Sequence, residues 1–95
     1  MKLRYDKDGK KMYPVCSWEK NQHKLYNAND RLWNALYDAQ DAGDWDRVGT
    51  LQERIGELQN ALSVFDSYVY DGIVYAPYKV GMIIKNYIWA YNARH

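Results

Sequence analysis

Residues 25–65 read LYNANDRLWNALYDAQDAGDWDRVGTLQERIGELQNALSVF, and apolar side chains recur in this stretch at alternating steps of three and four. An α-helix turns once in about 3.6 residues, so such steps place side chains along one side of a helix. The stripe consists of Leu25, Ala28, Leu32, Ala35, Ala39, Ala42, Val48, Leu51, Ile55, Leu58, Leu62 and Phe65. Its two halves mirror each other about position 45, which predicts two antiparallel helices that pack like a short coiled coil.

Capping residues set the expected ends of these helices. Ser17 suits the N-cap of a first helix over 17–42, and Gly43 suits the left-handed position that follows a helix. Asp44 suits the N-cap of a second helix over 45–70. The small alanines of the first helix face bulkier residues of the second, so we expect the two helices to pack closely.

The end of the second helix is open to two interpretations. Asp71-Gly72 is typical of a tight β-hairpin turn, but Gly72 also suits the left-handed residue that ends a helix. We favour a helix that ends near Tyr70, because it gives two helices of matched length. A third amphipathic helix over 77–92 then begins at Pro77, a residue accepted in the first helical turn. Its apolar face comprises Val80, Ile83, Ile84, Tyr87, Ile88 and Tyr91.

Alternating apolar residues flank Asp8-Gly9 in the N-terminal segment and predict a small β-hairpin over 2–16. Pro14 lacks a backbone N–H, so we expect its strand to lie at the edge of the sheet. The sequence contains no internal repeat, low-complexity tract or linker. Together these patterns predict a mainly α protein (α+β) with a single domain over 1–95. It comprises an antiparallel helical hairpin, a third C-terminal helix and a small N-terminal β-hairpin.

Composition narrows the expected cellular setting. No apolar run approaches the roughly 20 residues that a membrane-spanning helix needs, and the segment that starts at Met1 lacks the apolar core of a signal peptide. The single cysteine, Cys16, cannot form a disulfide within the chain, which is typical of a reducing compartment. We therefore expect a cytoplasmic protein without a membrane partner.

The sequence carries no established catalytic motif. A cysteine nucleophile would need Cys16 beside a histidine and a third orienting group, and His23 and His95 are the only histidines. Cys16 and His23 could supply two ligands of a zinc site, which needs about four. Glu53 and Glu57 stand four residues apart, as is typical of a charged, solvent-facing side of a helix. We expect no enzyme activity, no cofactor and no bound metal.

Charge is unevenly distributed along the chain, although the net charge is only +1. Residues 1–24 carry seven Lys/Arg and three Asp/Glu, residues 25–71 carry three and nine, and residues 72–95 carry three basic residues and no acidic one. The helical hairpin is therefore acidic and both flanking segments are basic. Such a pattern is typical either of solvated, mutually complementary faces or of an acidic face that binds a basic partner.

Tyrosine dominates the aromatic residues, because the chain has ten Tyr, four Trp and one Phe. Tyr suits half-buried positions such as interfaces, since its hydroxyl needs a hydrogen-bond partner. Tyr26 and Trp33 fall opposite the seam of the first helix, with Leu36 and Tyr37 beside them. Two interpretations stay open: the third helix and the N-terminal hairpin cover this side, or it is an open binding surface.

Gly49, Gly56 and Ser63 recur every seven residues on the second helix, away from its seam. Glycine inside a helix costs about 1 kcal/mol relative to alanine, so we expect another group to approach closely there. The sequence leaves open whether that group belongs to the same chain or to a second copy in a homodimer.

These features favour a non-enzymatic protein-binding module. We expect a small stand-alone inhibitor or adaptor, of the anti-defence kind common in phages and mobile elements, that docks on a larger host protein or nucleoprotein complex. The residues expected to bind this partner are Tyr26, Trp33, Tyr37, Asp30, Asp38, Asp41, Glu53 and Glu57.

The alternative function is nucleic-acid binding by the basic, aromatic N-terminal segment. Lys and Arg contact phosphates, and aromatic rings stack on bases. The residues that would act in this way are Lys7, Lys10, Lys11, Tyr13, Trp18 and Lys20. The acidic hairpin argues against this alternative, because its charge would repel phosphate.

Overall fold

The structure, a computed structural model, describes residues 4–95. Its elements in chain order are β1 (Arg4–Tyr5), β2 (Lys11–Ser17), α1 (Trp18–Asp41), α2 (Trp45–Ser67), β3 (Val69–Tyr70), β4 (Ile73–Ala76) and α3 (Tyr78–Arg94). The predicted mainly α class with a small β component is confirmed, as are the helical hairpin and the third helix. The N-terminal β-hairpin was predicted to begin at residue 2, and residues 2 and 3 lie outside the described range.

The helical hairpin forms where the capping residues place it. The Ser17 Oγ accepts a hydrogen bond from the backbone N–H of Lys20 at 3.4 Å, and α1 begins at the next residue. Gly43 adopts a left-handed φ of 70°, which helps the chain to reverse in a short turn. The Asp44 Oδ1 accepts a hydrogen bond from the backbone N–H of Arg47 at 3.3 Å and caps α2. Both helices therefore begin as predicted.

The apolar seam between α1 and α2 is largely as predicted, and all six seam residues of α2 are buried. Ala42 is exposed beyond the end of α1, whereas Leu36 is buried in the seam. The prediction that Leu36 lies on the outward aromatic side was wrong. Leu36 follows Leu32 by four residues and precedes Ala39 by three, so it continues the seam.

The segment after α2 is a β-hairpin, so the favoured extension of the helix to Tyr70 was wrong. α2 ends at Ser67, and β3 pairs with β4 around Asp71 and Gly72. These two turn residues have positive φ, 53° and 79°, as in the tight turns that match the twist of a hairpin. β4 also pairs with β2, so it has a hydrogen-bonded neighbour on each side, which a helix end could not offer.

The four strands form one antiparallel sheet in the order β1-β2-β4-β3. β2 therefore lies inside the sheet, and the prediction that Pro14 confines its strand to an edge was wrong. The register of β2 against β4 shifts between Pro14 and Cys16. Such an irregularity accommodates a residue that cannot donate a ladder hydrogen bond.

α3 packs against both helices of the hairpin and against β2 and β4. The largest fully buried side chains of the main core are Leu25, Leu58, Phe65, Val74 and Ile84. A Cβ on Gly81 would lie 3.3 Å from Val15 Cγ2, so the glycine lets α3 approach β2 closely. Gly49 and Gly56 have open space where a Cβ would lie, so among the described residues the close approach predicted there is not found.

A second, smaller core lies at the tip of the helical hairpin. Its buried members are Leu36, Ala39, Val48, Leu51 and Ile55. All of them belong to α1 or α2, and within residues 4–95 no side chain of α3 or of the sheet joins this cluster. The tip of the hairpin therefore extends beyond the main core.

Candidate functional site

The aromatic face of α1, formed by Tyr26, Trp33 and Tyr37, is open to solvent. The three residues are 43 %, 37 % and 54 % exposed. α3 packs beside a different side of α1, which carries Lys24, Ala28 and other residues, so the predicted cover by the third helix is not found. The aromatic face is an open surface, and its binding of a partner stays a prediction.

Hydrogen bonds and ring contacts hold the aromatic face in position. The Tyr26 hydroxyl donates to Asp66 Oδ2 at 2.6 Å, and the Trp18 indole N–H donates to Asp66 Oδ1 at 3.1 Å. The hydrogen bond to Asp66 raises the pKa of the Tyr26 hydroxyl, and burial and the carboxylate charge raise it further. The Trp33 and Tyr37 rings lie 6.0 Å apart with a tilt of 36°.

Two of the five acidic residues predicted to bind a partner flank the aromatic face. Asp30 precedes Trp33 by three residues and Asp41 follows Tyr37 by four, so helical spacing places both carboxylates beside the rings. Both aspartates are exposed. The aromatic face therefore has a negatively charged margin along α1.

The other three predicted acidic residues are exposed but lie apart from the aromatic face. Asp38 follows Tyr37 by one residue, which turns its side chain about 100° around α1. Glu53 and Glu57 lie on α2, and Glu57 lines a groove on the α3 side of the hairpin. The predicted eight-residue partner site therefore does not form one surface, because Asp38, Glu53 and Glu57 lie apart from the aromatic face.

This second surface, the three-helix groove, has a volume of about 630 Å³ and is lined by α1, α2 and α3. Apolar residues in its lining include Ala28, Leu32, Ala35 and Leu51. Its cationic side chains are Lys24, Arg31, Arg47, Arg54 and Arg94. Glu57 is the single carboxylate among the described lining residues. The groove therefore carries a large excess of positive charge, although the hairpin segment as a whole is acidic.

The wall that α3 contributes to the three-helix groove carries two half-buried tyrosines. Burial raises the pKa of Tyr87, the charge of Glu57 raises it further, and the charge of Arg54 opposes the rise. The Lys24 Nζ lies 5.9 Å from the centroid of the Tyr91 ring, and His23 meets the same ring edge-on at 5.4 Å. Cations and aromatic rings thus occur side by side in this groove.

The residues predicted to bind nucleic acid are only partly brought together. Four of them line a third surface, the lysine groove, of about 920 Å³: Lys7, Lys10, Lys11 and Tyr13. Lys79 and Tyr78 of α3 join them, and the Tyr13 and Tyr78 rings meet edge-on at 6.4 Å. Trp18 instead packs against the main core, and Lys20 is an exposed residue in the first turn of α1.

The chemistry available at Cys16 and His23 is limited. Burial raises the pKa of the Cys16 thiol from 9.0 to about 11, with Lys85 and Lys24 opposing the rise, so the nucleophilic thiolate is scarce at neutral pH. His23 is exposed and contacts Tyr91. No group of three metal-binding side chains occurs within residues 4–95.

In that same range, no helix combines the length and apolarity needed to cross a membrane.

The sequence-based predictions missed the arginines of the three-helix groove. A signal was present: Lys24, Arg31, Arg47 and Arg54 each directly precede an apolar seam residue, and the two cations on each helix stand seven residues apart. The net charge of residues 25–71 did not reveal this pattern, because nine acidic residues outnumber the three arginines in that segment. The exposed stripe on α3 was also missed, and it consists of Tyr78, Met82 and Trp89.

Comparison with known proteins finds no matching family model, no similar curated protein and no similar solved structure.

Proposed function

We propose that the protein is a non-enzymatic binding protein that docks on a larger protein through the aromatic face of α1. The observation that supports this proposal is three exposed aromatic residues on one side of one helix. Large aromatic side chains carry much of the binding energy at protein interfaces. A group of exposed aromatic side chains on one helix side is typical of an interaction surface.

The positioning of the rings favours binding further. The hydrogen bond between Tyr26 and Asp66 restricts one ring, and the contact between Trp33 and Tyr37 restricts the other two. Ordering side chains at an interface costs about 0.5–1.5 kcal/mol for each mobile side chain, so restricted rings lose less on binding.

The charge at the margin of the aromatic face indicates what the partner surface is like. Asp30 and Asp41 lie beside the rings and are exposed. Complementary charge speeds encounter and selects partners. We therefore propose a partner with an apolar pocket edged by Lys and Arg, as on a host protein that handles nucleic acid. Occupation of that pocket would make this chain an inhibitor or adaptor of the partner.

Nucleic-acid binding at the lysine groove is the second candidate function. Lys7, Lys10 and Lys11 share this groove with Lys79, and the paired rings of Tyr13 and Tyr78 lie beside them. This clustering of cations with aromatic rings is the specific observation that favours it.

The test of the first proposal is affinity capture of a partner from nuclease-treated lysate of cells that carry the protein. Variants Trp33→Ala and Tyr37→Ala are compared with Trp89→Ala, which removes an exposed aromatic residue from α3. We expect one stoichiometric partner, lost with the first two variants and retained with Trp89→Ala, at unchanged helicity by circular dichroism. The proposal fails if the two α1 variants capture the partner as well as the unaltered protein does, or if only nucleic acid is recovered.

The purified partner then allows a direct test of the acidic margin. Replacement of Asp30 and Asp41 by asparagine should slow association and reduce its dependence on salt, because the changes remove long-range attraction. An association rate that does not change with either substitution would contradict a basic partner surface.

A further inference from the structure

We propose that the three-helix groove binds the phosphodiester backbone of single-stranded nucleic acid. This inference is independent of the aromatic face, and it concerns a groove that the second candidate function does not include. It rests on five cationic side chains and a single carboxylate in the described lining of the groove.

Four of the cations form two pairs, one along α1 and one along α2, beside the apolar residues of the groove. Lys24 and Arg31 lie on α1, and Arg47 and Arg54 lie on α2. Seven residues of helix correspond to about 10 Å, so each pair spreads its charge along the groove. Arg94 of α3 adds a fifth cation. A compact anion would neutralise one or two of these groups, whereas a strand with a phosphate at every nucleotide matches the whole array.

Over the described residues, basic side chains concentrate in the two grooves and acidic side chains lie mostly outside them. Within residues 4–95, nine of the 12 Lys/Arg line either the three-helix groove or the lysine groove, but only three of the 12 Asp/Glu do so. The two grooves share Ile83 and therefore adjoin. The objection that an acidic hairpin repels phosphate thus does not apply to this side of the molecule. All three arginines of the hairpin segment lie in the three-helix groove.

The other contents of the groove favour a nucleic-acid strand over an acidic peptide. Tyr87 and Tyr91 line the wall, and His95 stacks on Tyr91 with ring centroids 4.1 Å apart. Because His95 already stacks on one face of Tyr91, the exposed His95 ring is the one that offers a surface to a nucleobase. Arginine forks pair with phosphate oxygens. A volume of about 630 Å³ is in the range of sites for small ligands, which suits a few nucleotides of a strand.

The test is fluorescence anisotropy with a labelled oligothymidylate of about 12 nucleotides at about 50 mM salt. We compare the double variant Arg31→Glu/Arg54→Glu with the triple variant Gln40→Glu/Gln52→Glu/Lys85→Glu. The control makes the same change in net charge on exposed residues outside the lining of both grooves. We expect the groove variant to bind at least about tenfold more weakly and the control to change by less than about threefold. Affinity of the unaltered protein should fall steeply as salt rises.

Two further variants test whether a loss of oligonucleotide binding comes from unfolding or from the aromatic face. If the glutamate variant loses helicity, Arg31→Gln/Arg54→Gln replaces it, with the same expected direction of change. Trp33→Ala should leave oligonucleotide binding unchanged, so this proposal and the proposed protein-binding function can fail independently.

Several outcomes would overturn the proposal. They are no binding up to about 100 μM protein at low salt, an equal loss in the control variant, or tighter binding of polyglutamate than of the oligonucleotide. Loss of binding in Lys10→Glu/Lys11→Glu but not in the groove variant would also overturn it, and would assign the strand to the lysine groove.

Discussion

The hydroxyl of Tyr26 on α1 donates a 2.6 Å hydrogen bond to the carboxylate of Asp66 on α2. The indole of Trp18 donates to the other oxygen of the same carboxylate at 3.1 Å. One acidic residue thus links two aromatic side chains of α1 to α2. This link joins the aromatic face, proposed to bind a protein, to the packing of the helical hairpin.

Replacement of Tyr26 by phenylalanine should lower the free energy of unfolding by about 1 kcal/mol at neutral pH. The change removes a charge-assisted hydrogen bond, and the exposure of Tyr26 keeps its contribution small. Urea unfolding of Tyr26→Phe and of the unaltered protein measures the difference. Equal stabilities would mean that the hydrogen bond contributes nothing in solution.

The contribution of Tyr26 should also depend on pH. The pKa of Tyr26 is raised above its ordinary value of 10.0, first by the hydrogen bond to Asp66, so the protonated hydroxyl is favoured in the folded protein. The added stability is present below pH 10 and is lost as pH rises through the pKa of the folded state. The stability difference between the unaltered protein and Tyr26→Phe should therefore shrink above about pH 10. A difference that stays constant between neutral pH and about pH 11 would contradict this assignment.

Leu36→Ala should destabilise the protein far more than Tyr37→Ala, although the two residues are neighbours. Leu36 is 4 % exposed in the seam and Tyr37 is 54 % exposed. Truncation of a buried leucine costs about 2–5 kcal/mol, whereas an exposed side chain costs about 0.5 kcal/mol. Thermal unfolding of both variants provides the comparison. A larger loss for Tyr37→Ala would reverse the assignment of these two sides of α1.

Gly72→Ala should destabilise the protein by about 1 kcal/mol, because Gly72 has a φ of 79° in the turn between β3 and β4. Gly56→Ala is the matched control and should stabilise the protein by up to about 1 kcal/mol. A Cβ at either position meets no other side chain within 4 Å among the described residues, so packing does not obscure the comparison. Stabilisation by both substitutions would contradict a left-handed turn at Gly72.

Cys16 should react slowly with alkylating reagents in the folded protein. Burial raises the pKa of its thiol from 9.0 to about 11, which lowers the thiolate fraction near pH 8 about a hundredfold. Cys16 is the only cysteine, so total labelling by iodoacetamide reports this one site. Labelling near pH 8 should accelerate about a hundredfold in concentrated urea. Similar rates with and without urea would place the thiol in contact with solvent.

The turn at Asp71 and Gly72 shows why local sequence patterns could not predict every element of the fold. Both a helix end and a hairpin suit these residues, and the choice depends on β2, whose Ser17 pairs with Ile73. The same pairing places the strand of Pro14 between β1 and β4, with a shift of register beside Pro14. A residue more than 50 positions away along the chain decides each of these features, and periodicity within one segment cannot reveal it.

The helical hairpin, its caps and most of its seam followed from the sequence alone, because helical spacing and capping depend on residues within a few positions of one another. The surfaces were decided only by the tertiary structure. The chain order spreads Arg31, Arg54 and Arg94 over three helices, and their packing brings these cations to one groove. Packing also leaves Tyr26 and Trp33 exposed, because α3 lies beside a different side of α1. Which side of a helix is covered depends on where the other elements dock, and that is a property of the whole fold.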